Sequence, residues 1–292
     1  MRYAGAAVNS PGKPGAPGLD PLRLARLMRE AVRRCRLDLS GATVLTEAAT
    51  GAYVVTPVLA ALAGAARVLA LTRGTRYGTA EEVAVRTREL ARVAGVEERL
   101  EILTARSPAL FAEADVVTNS GHVRPIDAAA IAAMRPGTVL PLMFEAWEFR
   151  EGDLDLAACR ARGIRVAGTN ERHPCVDVFG FLGLMAVKLL ADAGVSAYGG
   201  RILLCCDNPF RLYLQRGLVA AGAQVQAVER LREARSPAPC DAVLVALRPA
   251  GRAVLDAEDA AWLAARLPGA VVAQCWGDLD RDALAAAGVP VW

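Results

Sequence analysis

The sequence predicts an α/β fold of two parallel-sheet lobes joined by a long apolar helix, and three observations carry that reading. From Ser40 onward, short runs rich in Val, Leu and Ile alternate with helical stretches, the pattern of a mostly parallel sheet covered on both faces. The same alternation restarts at Arg201. Between the two, Gly163 to Gly194 (GIRVAGTNERHPCVDVFGFLGLMAVKLLADAG) runs from a strand through a polar loop into an apolar helix. A chain of 292 residues is long enough for two such cores.

The elements follow in order. Residues 1 to 19 are rich in Pro and Gly and read as a flexible arm. Asp20-Pro21 pairs an N-cap with a first-turn proline, so a helix is expected over Pro21 to Arg36, as a packing or dimer element. The first lobe, residues 40–172, takes strands at Ala42 to Thr46, Arg67 to Leu71, Leu100 to Leu103, Asp115 to Thr118, Thr138 to Met143 and Ile164 to Val166. Its helices fall at Val54 to Ala63, Ala80 to Ala94, and from Pro108 and Asp127. The second lobe, residues 196–292, takes strands at Arg201 to Cys205, Gln224 to Val228, Ala242 to Leu247, Val271 to Gln274 and Val289 to Trp292. Helices lie between them at Phe210 to Ala221, Asp256 to Arg266 and Asp280 to Ala287. MFEAWEFREGDLDLAACRARGIRV and AQCWGDLDRDALAAAGVPV share the order strand, Trp, acidic loop, short helix, strand, so the lobes read as variants of one nucleotide-binding architecture.

In the joining stretch, residues 173–195, Pro174 suits a helix start. Val178, Phe181, Leu182, Met185, Leu189 and Leu190 keep helical spacing, and Phe179, Leu184 and Val187 place apolar groups on the other faces. This pattern predicts a helix enclosed nearly all round between the lobes, with the loop holding His173 at the mouth of an interdomain cleft.

Composition excludes several classes. A 54% hydrophobic, 22% charged chain with net charge +3 and 5% aromatics offers neither the basic face nor the stacking platforms of a nucleic-acid binder. Asp177, Lys188 and Asp192 interrupt the most apolar run, which argues against a membrane span. Seven cysteines with no CxxC spacing read as reduced thiols in a cytoplasmic protein. Glu145 and Glu148 lack a histidine at ligand spacing, so no metal is expected.

From residue 108 to the end the chain resembles the NAD-dependent D-2-hydroxyacid dehydrogenases. ADVVTNSGHVRPIDAAAIAAM and GIRVAGTN are similar to the end of that family's flavodoxin-like substrate domain, and 174–194 to its interdomain helix. YGGRILLCCDNPFRLYLQRGLVAAGAQVQAVE stands where its Rossmann strand, phosphate loop and helix would be, and CDAVLVALRP continues the likeness. The resemblance implies a flavodoxin-like lobe followed by a Rossmann lobe, NAD(P) as cofactor, a small-molecule substrate and a homodimer. The chain departs from the family at its chemistry. The phosphate loop is Cys205-Cys206-Asp207-Asn208-Pro209-Phe210, without glycine, and Asp207 there would repel a phosphate about 5 Å away by roughly 3 kcal/mol at an effective dielectric near 20. Cys275-Trp276 stand where the family's catalytic Arg would follow its strand, and the positions of its Glu and His lie further on.

Ligands of parallel α/β sheets gather outside the carboxyl ends of the strands. The strand ends supply both histidines of the chain, so His173 and His122 are candidate acid/base groups, with Glu145 or Glu171 to orient an imidazole. His173 reads equally well as a cap on the helix entry. Asn119, Ser120, Gly121, Arg124, Trp147, Glu148, Asn170 and Glu171 are candidate substrate contacts; Arg124 suits either a substrate carboxylate or a surface pairing. Two stretches compete for a nucleotide. In the second lobe these are Asp207, Asn208, Phe210 and Glu229, the last placed for a ribose or simply solvated. In the first lobe they are Thr50, Gly51 and Tyr53, opening a helix after a strand, with Arg73 placed for a 2′-phosphate. VLTEAATG, with Glu47, is also similar to the first motif of S-adenosylmethionine-dependent methyltransferases. The expected function is an NAD(P)-linked oxidoreductase acting on a small polar, carboxylate-bearing metabolite. The alternative is a relative that no longer uses nicotinamide and binds a small molecule or moves protons.

Overall fold

The computed structural model describes residues 17–234 and 239–292. The expected arm lies outside them except for Pro17–Leu19, a single 3-10 turn. The chain divides into two compact units, Met1–Glu171 and Arg172–Trp292, each an α/β body with a parallel sheet.

The first unit opens on α1 (Pro21–Cys35), started by Asp20, whose carboxylate accepts the Arg23 N–H at 2.8 Å. Its strands are β1 (Thr43–Glu47), β2 (Arg67–Leu71), β3 (Leu100–Leu103), β4 (Val116–Val117), β5 (Val139–Pro141) and β6 (Arg165–Ala167). The helices are α2 (Val55–Leu62), α3 (Ala80–Ala94), α4 (Pro108–Glu113), α5 (Ala128–Ala133) and α6 (Leu156–Arg162). Thr79 and Glu82 close a reciprocal capping box at the start of α3, and Gly95 (φ 73°) ends it in the left-handed region. Fully buried Leu45, Leu69 and Leu140 face one helical layer and Val68 the other, so the sheet is covered on both sides. α1 belongs to this unit: Ala25 and Met28 pack with α2 and α3, and Arg29 donates to the Ala94 carbonyl at 2.8 Å.

The strand order is β3-β2-β1-β4-β5-β6, all parallel. This is the six-strand doubly wound order of dinucleotide-binding sheets, and its chain reversal falls between β1 and β4. In the second unit β7 (Arg201–Cys205), β8 (Gln224–Val228), β9 (Ala242–Ala246) and β10 (Val271–Trp276) take the order β10-β9-β7-β8. Numbered within the unit this is 2-1-3-4, the flavodoxin-like arrangement, which a parallel bridge from Val272 to Val291 extends. Both expected Rossmann-like types are present, but in the reverse of the order the resemblance implies.

Helices α7 (Phe181–Asp192), α8 (Phe210–Ala220), α9 (Ala257–Arg266) and α10 (Arg281–Ala286) complete the second unit. The expected helix from Pro174 begins later. Asp177 has φ 47°, in the left-handed region, and its carboxylate accepts the Gly180 N–H at 3.2 Å, so residues 174–180 form turns. Nor does its own unit enclose α7 all round. Gly183, Ala186 and Leu190 are buried, whereas Phe181 is 61% and Leu184 65% exposed. Helical spacing marked the apolar residues correctly, but an apolar residue is not thereby a buried one. The buried side meets α8 through Gly183 and Gly217, which stand so close that a Cβ on Gly217 would lie 2.3 Å from the Gly183 Cα.

The internal repeat is structural. Leu154 and Leu279, in the two acidic loops, each form a parallel bridge with the residue before a helix N-cap, Ile126 and Leu255. Asp155 and Asp280 then cap α6 and α10 in the same way. Among the described residues, no helix is long and apolar enough to cross a membrane.

Candidate functional site

At the carboxyl end of β1 the first unit buries a carboxylate. Glu47 is 5% exposed, and its Oε2 accepts the His122 backbone N–H at 3.0 Å. That bond ties β1 to the loop after β4, Thr118 to His122. A row of hydroxyls does the same beneath it: Thr46 Oγ1 lies 2.8 Å from Thr118 Oγ1, which lies 2.9 Å from Ser120 Oγ. Asn119 Oδ1 accepts the Met143 N–H at 2.7 Å and ties the loop to the end of β5.

Three polar atoms around this centre are buried without a hydrogen-bond partner: Thr72 Oγ1 after β2, Asn119 Nδ2 after β4, and His122 Nδ1. Thr72 is 2% and Asn119 1% exposed, so solvent does not reach them. An orphaned buried polar group costs about 1–3 kcal/mol, and three on strands flanking one carboxylate mark a place built for a partner. Burial pushes the His122 imidazole below its usual range; Glu47 opposes the shift and the Arg73 charge adds to it. Burial thus favours the neutral imidazole.

A second group of carboxylates stands after β5 and β6. Glu145 is buried; its Oε2 accepts the Trp147 indole N–H at 2.8 Å and its Oε1 the Glu171 N–H at 3.2 Å. Burial, reinforced by the neighbouring carboxylates, pushes Glu148 and Glu171 up, and Arg150 partly offsets this at Glu148. Trp147 and Asn170 are in the same loops, both exposed. Arg124 follows Gly121 and His122 but forms an ion pair with Asp153, the surface-pairing alternative.

The turn from β1 into α2 is compact. Thr50 is extended, Gly51 has φ 64°, and the 3-10 turn Gly51–Val54 runs straight into α2. Nothing lies within 4 Å of a Cβ built on Gly51, so the space above the turn is open. The leading N–H groups of such a helical run have no partner within it. Tyr53 is exposed beside them. At the end of β2, Arg76 stacks on the Tyr77 ring at 4.6 Å while Arg73 stays exposed.

The corresponding turn in the second unit is filled by its own side chains. Asp207 Oδ1 accepts the Arg248 N–H at 3.0 Å and the Asn208 amide at 3.1 Å. The Asn208 amide also donates to the Ala246 carbonyl at 2.7 Å, and its Oδ1 accepts the Phe210 N–H at 3.0 Å. Phe210 packs 5.2 Å from both Phe179 and Trp276, and Phe179 packs 5.4 Å from Tyr213. A helix start whose N–H is taken by Asn208, beside Asp207 and capped by aromatic rings, does not fit a pyrophosphate. Glu229 is solvated at the end of β8. Burial drives the thiols of Cys205 and Cys206 up and that of Cys275 to about 11, which disfavours the reactive thiolate at all three. His173 is exposed; its Nδ1 accepts the Cys175 N–H at 3.2 Å and its carbonyl the N–H groups of Val176 and Asp177, so it holds a turn several residues before α7 begins.

The structure thus brings the loop Asn119, Ser120, Gly121 and His122 up to Glu47, leaves Arg73 exposed after β2, and groups Glu145, Trp147, Glu148 and Glu171 in the neighbouring loops of the same unit. Thr46, Thr72 and Thr118 join the first group. Only their strand-end positions could have announced them, because isolated threonines carry no pattern of their own.

Comparison with known proteins agrees with the architecture. The fold is similar to that of a dipicolinate synthase from Bacillus subtilis, with a TM-score of 0.53 over 88% of this chain and 89% of that one, at 9% identity. The corresponding dipicolinate synthase from Bacillus halodurans aligns with a TM-score of 0.52 over 87% and 90%, also at 9% identity. NAD+-bound 3-phosphoglycerate dehydrogenase of Entamoeba histolytica aligns at a TM-score of 0.38 over 87% of both chains at 9% identity, too distant to carry an argument. No family model matches the chain, and no curated protein matches its sequence. At such identities these likenesses establish a two-lobed Rossmann-like fold and nothing finer.

Proposed function

We propose that the chain is an NAD(P)-linked oxidoreductase acting on a small polar, carboxylate-bearing metabolite, with His122 as the proton-handling group. The observation that carries this reading is the set of three buried, partnerless polar atoms around Glu47 at the β1/β4 reversal of a dinucleotide-type sheet. A nicotinamide, when bound, would supply or take the hydride. The chain's own residues handle the rest. His122, whose neutral form burial favours, accepts a proton at Nδ1 from a substrate hydroxyl. Glu47 holds the His122 backbone, so the ring is delivered from a fixed loop. Asn119 Nδ2 donates to a substrate oxygen, and the hydroxyl row keeps Ser120 and Asn119 in register. Arg73 supplies positive charge for an anionic group.

Titration of the full chain with NADPH and NADH, followed by tryptophan fluorescence and thermal shift, tests the reading. A saturable shift with either supports it, and no response to both rejects it. One observation favours a second reading, a relative that has lost nicotinamide: the glycine-free turn of the second unit, filled by Asn208. Under that reading both nucleotides fail while small carboxylates still shift the melting temperature. A response to S-adenosylmethionine alone would instead support the methyltransferase alternative.

A further inference from the structure

The second unit stands where the resembling family would bind its nucleotide, yet its turn does not fit one. We infer that the nucleotide is held by the first unit, as an adenine dinucleotide carrying a 2′-phosphate, with its pyrophosphate over Thr50–Gly51 and its 2′-phosphate at Arg73. This inference rests on the oxidoreductase reading and specifies which nucleotide is bound and where.

Four independent observations lead there. The β3-β2-β1-β4-β5-β6 order opens its crevice outside β1 and β4, whatever the sequence there. The turn after β1 has the shape that a close-lying pyrophosphate requires: small Ala48 and Ala49, then Gly51 at φ 64° with open space above it, then a helical run to Leu62 whose leading N–H groups are unclaimed within it. About 20 residues on, where dinucleotide sites read the ribose, stands Arg73, exposed and in none of the ion pairs of the described residues. An arginine there selects a phosphate where an acid would select a free hydroxyl pair. Beside it, Thr72 Oγ1 is buried and partnerless at the end of β2, a group that points to a ligand and not merely to a helix end. Glu47, a buried carboxylate at the end of β1, has its Oε2 engaged by the His122 N–H of the loop after β4.

The test measures NADPH and NADH affinity on the full chain for four proteins: the parent, Arg73→Ala, Gly51→Val and Glu229→Gln. Arg73→Ala changes an exposed side chain and should keep the parent's melting temperature. It is expected to weaken NADPH about tenfold or more while changing NADH by less than about threefold. Gly51→Val is expected to weaken both nucleotides, and is scored only if its melting curve shows a folded protein. Glu229→Gln should change neither. If the parent binds NADPH but Glu229→Gln weakens it and Arg73→Ala does not, the nucleotide sits in the second unit, and this inference fails while the oxidoreductase reading stands. Equal losses of NADPH and NADH on Arg73→Ala would overturn the 2′-phosphate assignment. If the parent binds neither nucleotide, the oxidoreductase reading falls as well.

Discussion

Replacing Gly217 by alanine places one methyl group between two helices that touch backbone to backbone. The new Cβ would stand 2.3 Å from the Gly183 Cα, 2.7 Å from its carbonyl carbon and 3.0 Å from its oxygen. Carbon atoms in contact settle near 3.5–4.0 Å, so α7 and α8 must part by about 1 Å. No side chain can turn aside to absorb this, because the opposing atoms are main chain. Parting the helices loosens Leu214 and Leu218 of α8 against Ala186 and Leu190 of α7, all fully buried. Overpacking of this kind costs about 1–3 kcal/mol, and the backbone contact puts it toward the upper end. Alanine's better helix propensity returns about 1 kcal/mol. The net expectation is a loss of about 1–2 kcal/mol, a fall of roughly 3–8 °C in the second unit's melting transition by calorimetry. Gly183→Ala should act in the same sense, since its methyl would lie 2.7 Å from the Gly217 Cα. The competing expectation has the opposite sign: if the helices do not touch here, propensity alone raises the transition. A stabilised Gly217→Ala variant would refute the reasoning.

The other predictions concern the first unit. Thr79→Ala removes the acceptor of the Glu82 N–H in the α3 capping box and should cost about 1 kcal/mol, measured by urea denaturation. His122 has a folded pKa below 6.5, so the unfolded chain takes up the proton first as pH falls. Stability should therefore decline below pH 6.5 until the folded pKa is passed, and His122→Gln should flatten that slope in melting curves across the range. Glu171 has a folded pKa above 4.5, so it stabilises at low pH and that contribution is lost as pH rises through its folded value. Glu171→Gln should then raise stability at pH 7 by less than about 1 kcal/mol, read as a higher melting temperature, and leave it unchanged near pH 4.

Much of this fold could be read from the residues because period and punctuation agree. Arg67–Leu71, Ala80–Ala94, Arg201–Cys205 and Gln224–Val228 run over the same residues in sequence and structure, bounded by turn or cap residues at most ends. The repeat was visible through its Trp and acidic loops, and the paired Leu154 and Leu279 bridges give it a physical basis. Three things stayed hidden. Strand order is a tertiary property, so the exchange of the two sheet types left no trace in local pattern. The late start of α7 turned on the backbone of Asp177 at φ 47°, which a helix-compatible apolar spacing masked. The hydroxyl row and Thr72 are single residues whose meaning comes only from the strands beside them. For the site, strand-end position put Asn119, Ser120 and His122 among the candidates, and the structure sets their loop beside Glu47. Position alone could not distinguish Arg124, paired with Asp153, from the exposed Arg73.

Amide hydrogen exchange of the full chain, with and without NADPH, tests the placement of the nucleotide most directly. A dinucleotide held by the first unit slows exchange in peptides covering residues 48–54 and 72–76 and leaves residues 206–210 unchanged. Protection confined to residues 206–210 would contradict that placement.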